Sequence, residues 1–191
     1  ALTEASGFVN AAVTLSDTGG TQNARVTATV RELNVPNASV GFASVNLAIE
    51  NLMGIPTLDG QADIRAATVS GYEVRTATLS ATRDGTASDI TLDADLNQAR
   101  LALDGRLARV DGGFGVLLRQ FQLAGDALAA RLTAPATVTV TDTIVVDSAA
   151  LTVGEGSVTV GGEIGEQLDF RADINAFPVA VANLVVPDLG L

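Results

Sequence analysis

The sequence predicts an all-β chain: one long, curved sheet of about a dozen short strands, mainly antiparallel. Apolar and polar residues alternate nearly throughout, turn residues recur at short intervals, and one short segment reads as helix. Alternation puts one row of side chains on each face of a sheet. One face is then apolar, and the other carries Thr, Arg, Asp, Asn and Gln.

In chain order, the first clear row is Val26, Ala28 and Val30, set between Arg25 and Arg31. The phase then changes along the next strands. Val40 and Phe42 share one parity and Val45, Leu47 and Ile49 the other, while Ile64 and Ala66 give way to Ala67 and Val69. One inserted residue flips every later side chain, so these sites fit either β-bulges, which bend a sheet, or strands buried on both sides for part of their length. The regular pattern resumes with Ile90, Leu92, Ala94 and Leu96, then Leu101, Leu103, Gly105 and Leu107. Leu128, Ala130 and Leu132 follow, then Val138 and Val140, Val158 and Val160, and finally Leu168, Phe170, Ala172 and Ile174. Turns are expected at residues 17–20, 36–37, 59–60, 84–85, 111–113, 154–156 and 161–162, where Gly, Asn and Asp tolerate the positive φ of tight hairpins. Residues 178–186, opened by Pro178, are the one helix candidate. No break in composition divides the chain, so residues 1–191 are expected to form a single unit, with 176–191 as a short helix and return.

The apolar rows are aliphatic, and Phe occurs only at positions 8, 42, 114, 121, 170 and 177. Such a face lines an open trough or packs as the Ala-rich core of a closed β-sandwich, and periodicity alone leaves both open. The candidate groove-lining residues, for contact with lipid or with a client strand, are Val26, Val30, Ile64, Ile90, Leu92, Leu101, Leu103, Leu128, Leu132, Val138, Val140, Leu168 and Phe170.

Composition narrows the function classes. The chain has 22 acidic residues against 11 basic ones, all of them Arg and all spread singly, for a net charge of −11. Nucleic-acid binding needs clustered positive charge to displace counterions from phosphates. Anionic headgroups are repelled for the same reason, whereas acyl chains are not. With no Cys there are no disulfides and no thiolate chemistry. No apolar run is long enough to span a bilayer as a helix, and no leader pattern is present, so any anchor is expected outside these residues.

Catalysis lacks its usual groups, since His, Cys and Lys are all absent. The paired carboxylates Asp93 with Asp95 and Asp169 with Asp173 sit at even spacing on the polar side, where solvated charge explains them. No G-x-S-x-G elbow, P-loop or dinucleotide fingerprint occurs. The acidic stretch at residues 83–89 matches no EF-hand loop and reads as a hairpin, so no cofactor and no metal are expected. Arg25, Arg31, Arg65 and Arg75 are expected to pair with acidic neighbours across strands, and Tyr72 and Met53 give no functional signal.

The last stretch, residues 169–191 (DFRADINAFPVAVANLVVPDLGL), resembles a signature of the TamB family of bacterial envelope proteins: a strand, an insert opened by proline, and a PDLGL return. The phrases at residues 24–30 (ARVTATV) and 101–107 (LALDGRL) resemble the degenerate strand repeats of TamB-like and AsmA-like proteins. That resemblance implies a taco-shaped β-groove with an aliphatic interior, without catalytic residues. It implies a segment of a longer periplasmic protein held in the inner membrane of a Gram-negative bacterium. It also implies a TamA-like outer-membrane partner of the Omp85 class. The implied roles are conducting phospholipid between membranes, supporting assembly of outer-membrane β-proteins, or both. The expected contacts are acyl chains or nascent strands, and two grooves of a fragment could close on each other. The alternative function is a closed β-sandwich or adhesin-type module.

Overall fold

The computed structural model describes residues 5–69, 71–125, 128–165 and 168–176. Within them the chain forms thirteen strands in a single sheet. These are β1 (Ser6–Thr18), β2 (Thr21–Val35), β3 (Ala38–Glu50), β4 (Thr57–Val69), β5 (Tyr72–Asp84), β6 (Ala87–Leu96) and β7 (Ala99–Val110). They continue as β8 (Gly113–Gly125), β9 (Ala129–Leu132), β10 (Ala136–Val140), β11 (Ile144–Val153), β12 (Gly156–Ile164) and β13 (Leu168–Asn175). All pairings are antiparallel and run between neighbours in the chain, apart from one broken strand. There, β9 and β10 share a position between β8 and β11, each pairing with half of both. Pro135 lies in the break, where it offers no N–H for a ladder to use.

Thirteen strands thus fill twelve positions, with β1 and β13 at the two edges of the described sheet. At about 4.8 Å per strand the eleven intervals span ~53 Å. The expected all-β, antiparallel architecture is therefore the one observed. The helix expected over residues 178–186 lies outside the described residues.

The strands are not short, as the turn count suggested. β1 to β5 run for 13 to 15 residues each. Two expected turns fall inside strands instead, Gly60 within β4 and Gly162 within β12. Both hold positive φ, 144° and 139° respectively. At Gly60 a Cβ would collide with the backbone of Asn46, and at Gly162 with that of Asp169. These glycines let the neighbouring strand approach closely, which is a strand role and not a hairpin role.

The phase changes are bulges. Between the pairs Phe8–Arg31 and Ser6–Asn34, β1 advances two residues and β2 three. Between Thr76–Asp95 and Val74–Leu96, β5 advances two and β6 one. The registers of β2 with β3, β3 with β4 and β4 with β5 pass the same level without a slip. The extra residue is therefore carried in step by β2, β3, β4 and β5, and positive φ at Glu32 (50°) and Ala66 (52°) marks two of its sites. Apolar parity moves with it: Leu33, Val40, Ala67 and Val74 continue the face that Val30, Ala43, Ile64 and Ala77 begin. One inserted residue per strand keeps the apolar face apolar across a bend.

Burial is that of an open sheet. Among the described residues, the only buried side chains of three or more carbons are Leu132 and Val153; the other buried apolar residues are the alanines 24, 67, 81, 87 and 136. A closed sandwich of this size would bury its Leu, Ile and Phe rows fully.

Replacing Gly60 by alanine is expected to lower stability by at least about 1 kcal/mol in urea unfolding, because a Cβ at this φ meets backbone. Gly115→Ala is the control: φ there is not positive and the new methyl meets only Val110 Cγ1, at 3.4 Å. Equal losses in the two variants would contradict the close-approach role of Gly60.

Candidate functional site

Register carries the apolar parity from one edge of the sheet to the other. One row runs Val9, Val30, Ala43, Ile64, Ala77, Ala94, Leu101, Leu123, Ala130 and Val153, each residue directly opposite the next. A second runs Ala11, Ala28, Val45, Ala62, Leu79, Leu92, Leu103 and Phe121. A third holds Val13, Val26, Leu47, Gly60, Ala81, Ile90, Gly105, Leu118 and Ala136. Toward β13 the rows continue through Val116, Val138, Val146, Gly162 and Phe170, and through Phe114, Val140, Ile144, Ile164 and Leu168. Leu132, Leu151, Val158 and Ile174 form another.

Twelve of the thirteen expected groove residues therefore share one continuous face: Val26, Val30, Ile64, Ile90, Leu92, Leu101, Leu103, Leu132, Val138, Val140, Leu168 and Phe170. Leu128 differs. It lies just before β9, outside any strand, and its carbonyl accepts the Gly125 N–H at 3.0 Å. Leu47, Leu79, Phe121 and Leu151 lie on the same rows and are not among the expected groove residues; their place is defined by partners on other strands.

The face is uneven in exposure. Most of its large side chains between β2 and β12 are half-buried, sheltered by their neighbours along and across strands. On the edge strands Val9, Val13, Leu15, Leu168 and Ile174 are mostly exposed, because neighbours exist on one side only. Nothing among the described residues forms a second layer over it.

The sheet curls toward this face beside β5. The Leu58 N–H on β4 donates to Ser88 Oγ on β6 at 2.7 Å, passing over β5. Ser88 pairs with Leu107 and so points to the apolar side. Cα atoms of β4 and β6 approach within 8 Å, whereas flat strands two positions apart lie about 9.6 Å apart. Ser88 is completely buried.

Charge is confined to the other face and to strand ends. Arg106 bridges Asp84 and Asp89, both at 2.7 Å, and Arg119 reaches Asp89 at 2.8 Å and also Asp104. Hydrogen bonding to Asp84, followed by attraction to Asp89, raises the Arg106 pKa, and hydrogen bonds to Asp104 and Asp89 raise that of Arg119. Both guanidiniums stay charged at any working pH. The acidic hairpin at residues 83–89 thus places Asp84 and Asp89 against Arg106. Of the four arginines expected to pair, Arg75 meets Asp95 at 3.3 Å, and Arg65 lies over the Phe42 ring at 5.8 Å. A shallow hollow of about 810 Å³ lies on the polar side of β1 to β5, between Thr27, Asn46, Gln61 and Ser80.

Among the described residues no group of three or more Asp, Glu, His or Cys is placed to hold a metal ion, and no helix is long and apolar enough to cross a membrane. Comparison with family models, curated proteins and solved structures gives no match.

Ser88→Ala is expected to cost about 1–2 kcal/mol, since it leaves the Leu58 N–H without its partner beside a buried position. The check is urea unfolding of the variant alongside Ser80→Ala, a hydroxyl on the polar side. Equal small losses in both would mean that the β4–β6 link does not hold the curl.

Proposed function

We propose that the chain is a non-enzymatic groove segment that holds acyl chains along its apolar face, within a TamB-like envelope protein carrying phospholipid between the inner and outer membranes. The observation that carries this reading is an aliphatic face across twelve strand positions that no other described residue covers. Its span of ~53 Å exceeds the ~30 Å hydrocarbon thickness of a bilayer. Exposed aliphatic surface is unfavourable in water at about 25 cal/mol per Å², and a sliding acyl chain relieves that cost without needing a specific pocket. Between the strand ends, and apart from the buried Ser88, the face carries aliphatic side chains, a few Phe and glycines, so it offers little to halt such a chain. The proposed setting is the periplasm, with a TamA-like Omp85 protein as the outer-membrane partner.

A second reading rests on the edges. β1 is exposed along its whole length, and its unpaired N–H and C=O groups can template another strand. In that reading the chain assists assembly of outer-membrane β-proteins.

Native mass spectrometry of the purified chain, with extracted lipids identified, tests the first reading. Phospholipid at variable, exchangeable stoichiometry is expected, and Leu103→Asp or Ile90→Asp should remove most of it while circular dichroism stays that of a β-sheet. Lipid retained by both variants, or a lipid-free wild-type chain that takes up none from added vesicles, would reject acyl-chain binding on this face.

A further inference from the structure

The longest described connection, between β3 and β4, is not a loose loop. The Leu52 N–H donates to the Gln22 carbonyl at 2.8 Å, and the Asn51 N–H to Asn23 Oδ1 at 3.1 Å. Asn51 Nδ2 donates to the Ile55 carbonyl at 3.3 Å, and the Gly54 N–H returns to the Asn51 carbonyl at 3.1 Å. Asn51 itself adopts positive φ, 62°. These bonds hold the loop against the end of β2 and present Leu52 and Met53 outward, 37% and 82% exposed. Leu15 of β1, 71% exposed, lies with them around a hollow of about 410 Å³.

Two properties select what fits there. Leu15 belongs to the apolar face, directly opposite Ala24, so the hollow continues that face at the ends of the strands. Its other lining residues are Ser16, Asp17, Gln22 and Asn23, and Asp17 is the one charged group in it. Asp17 Oδ1 accepts the Gly20 N–H at 3.1 Å. The site thus pairs three flexible aliphatic side chains with a single carboxylate.

We propose that the Leu15–Leu52–Met53 hollow is an end site for a zwitterionic amphiphile, with the head-proximal part of its acyl chain among the three apolar side chains, its ammonium group toward Asp17 and the rest of the chain directed along the apolar face. This rests on the acyl-chain reading of the open face and adds a fixed point where a chain enters or leaves it. A carboxylate beside an apolar hollow favours ammonium-bearing heads and disfavours purely anionic ones. Methionine suits such a place because its unbranched side chain adapts to a moving ligand.

Met53 is the only methionine in the chain, so a ¹³C-methyl label gives a single NMR reporter. The probe is dodecylphosphocholine, titrated below its critical micelle concentration, with total binding followed in parallel by native mass spectrometry. A saturable shift of the Met53 methyl signal is expected. Leu15→Asn, on an exposed edge strand that tolerates it, should weaken the NMR-detected affinity by roughly tenfold, the loss of one good apolar contact. Asp17→Asn, which keeps the acceptor for Gly20, should weaken it to a smaller extent. Binding seen by mass spectrometry with an unmoved Met53 signal, or an affinity indifferent to both substitutions, overturns the end site and leaves the open-face reading standing. No binding by either method overturns both.

Discussion

Everything else in this molecule depends on the apolar side chains staying on one face through every strand pair. Side-chain period in a strand is two, so one uncompensated residue anywhere would turn the rest of that strand inside out. Where β2 to β5 each carry an extra residue, they carry it at the same level. The slips appear only at the two borders of that block, against β1 and against β6. Beyond β6 the compensation is local. β8 absorbs Arg119 opposite the step from Asp104 to Gly105, and β11 absorbs one residue opposite Gly161. In the first case the inserted residue takes part in the ion-pair ladder on the polar side.

A sheet built this way lacks the usual source of stability. Among the described residues no second layer buries the apolar rows, so their hydrophobic stabilisation comes from contact between neighbouring side chains on one face and from the curl beside β5. The backbone ladder pairs the ten interior positions on both sides, whereas one side of β1 and of β13 has no strand partner among the described residues. Salt bridges add little to this, because the pairs among Arg106, Arg119 and their aspartates are solvent-accessible and screened by salt. Their more useful effect is sorting. They gather charge on one side, and between the strand ends the opposite rows carry none.

Alternation made the strands, their faces and most of the apolar rows readable from the sequence. Val26, Val30, Leu101 and Leu103 needed no partner to be placed correctly, since their own strands alternate cleanly. What stayed hidden was non-local. Gly60 and Gly162 look like hairpin glycines in sequence, and only the approach of Asn46 and Asp169 shows them as strand glycines. Leu128 alternates with Ala130 and Leu132, yet the chain has not entered β9 when it reaches Leu128. Ser88 reads as a turn residue of an acidic hairpin, and its bond to Leu58 spans thirty residues of chain. The hollow at Leu15, Leu52 and Met53 joins two segments that no local pattern connects.

The central claim is that the apolar face is open to solvent and ligand along its middle, where sequence alone fits a closed core equally well. The chain has no cysteine, so Leu103→Cys introduces a single thiol at the centre of that face. Its rate of reaction with a small maleimide, in native buffer and with an acyl amphiphile added, is the direct test. An open groove predicts reaction within about tenfold of the urea-unfolded rate, allowing for partial shielding by neighbours, and clear slowing when the amphiphile binds. A native thiol that reacts only after unfolding, with or without amphiphile, would mean a closed core and would contradict the account.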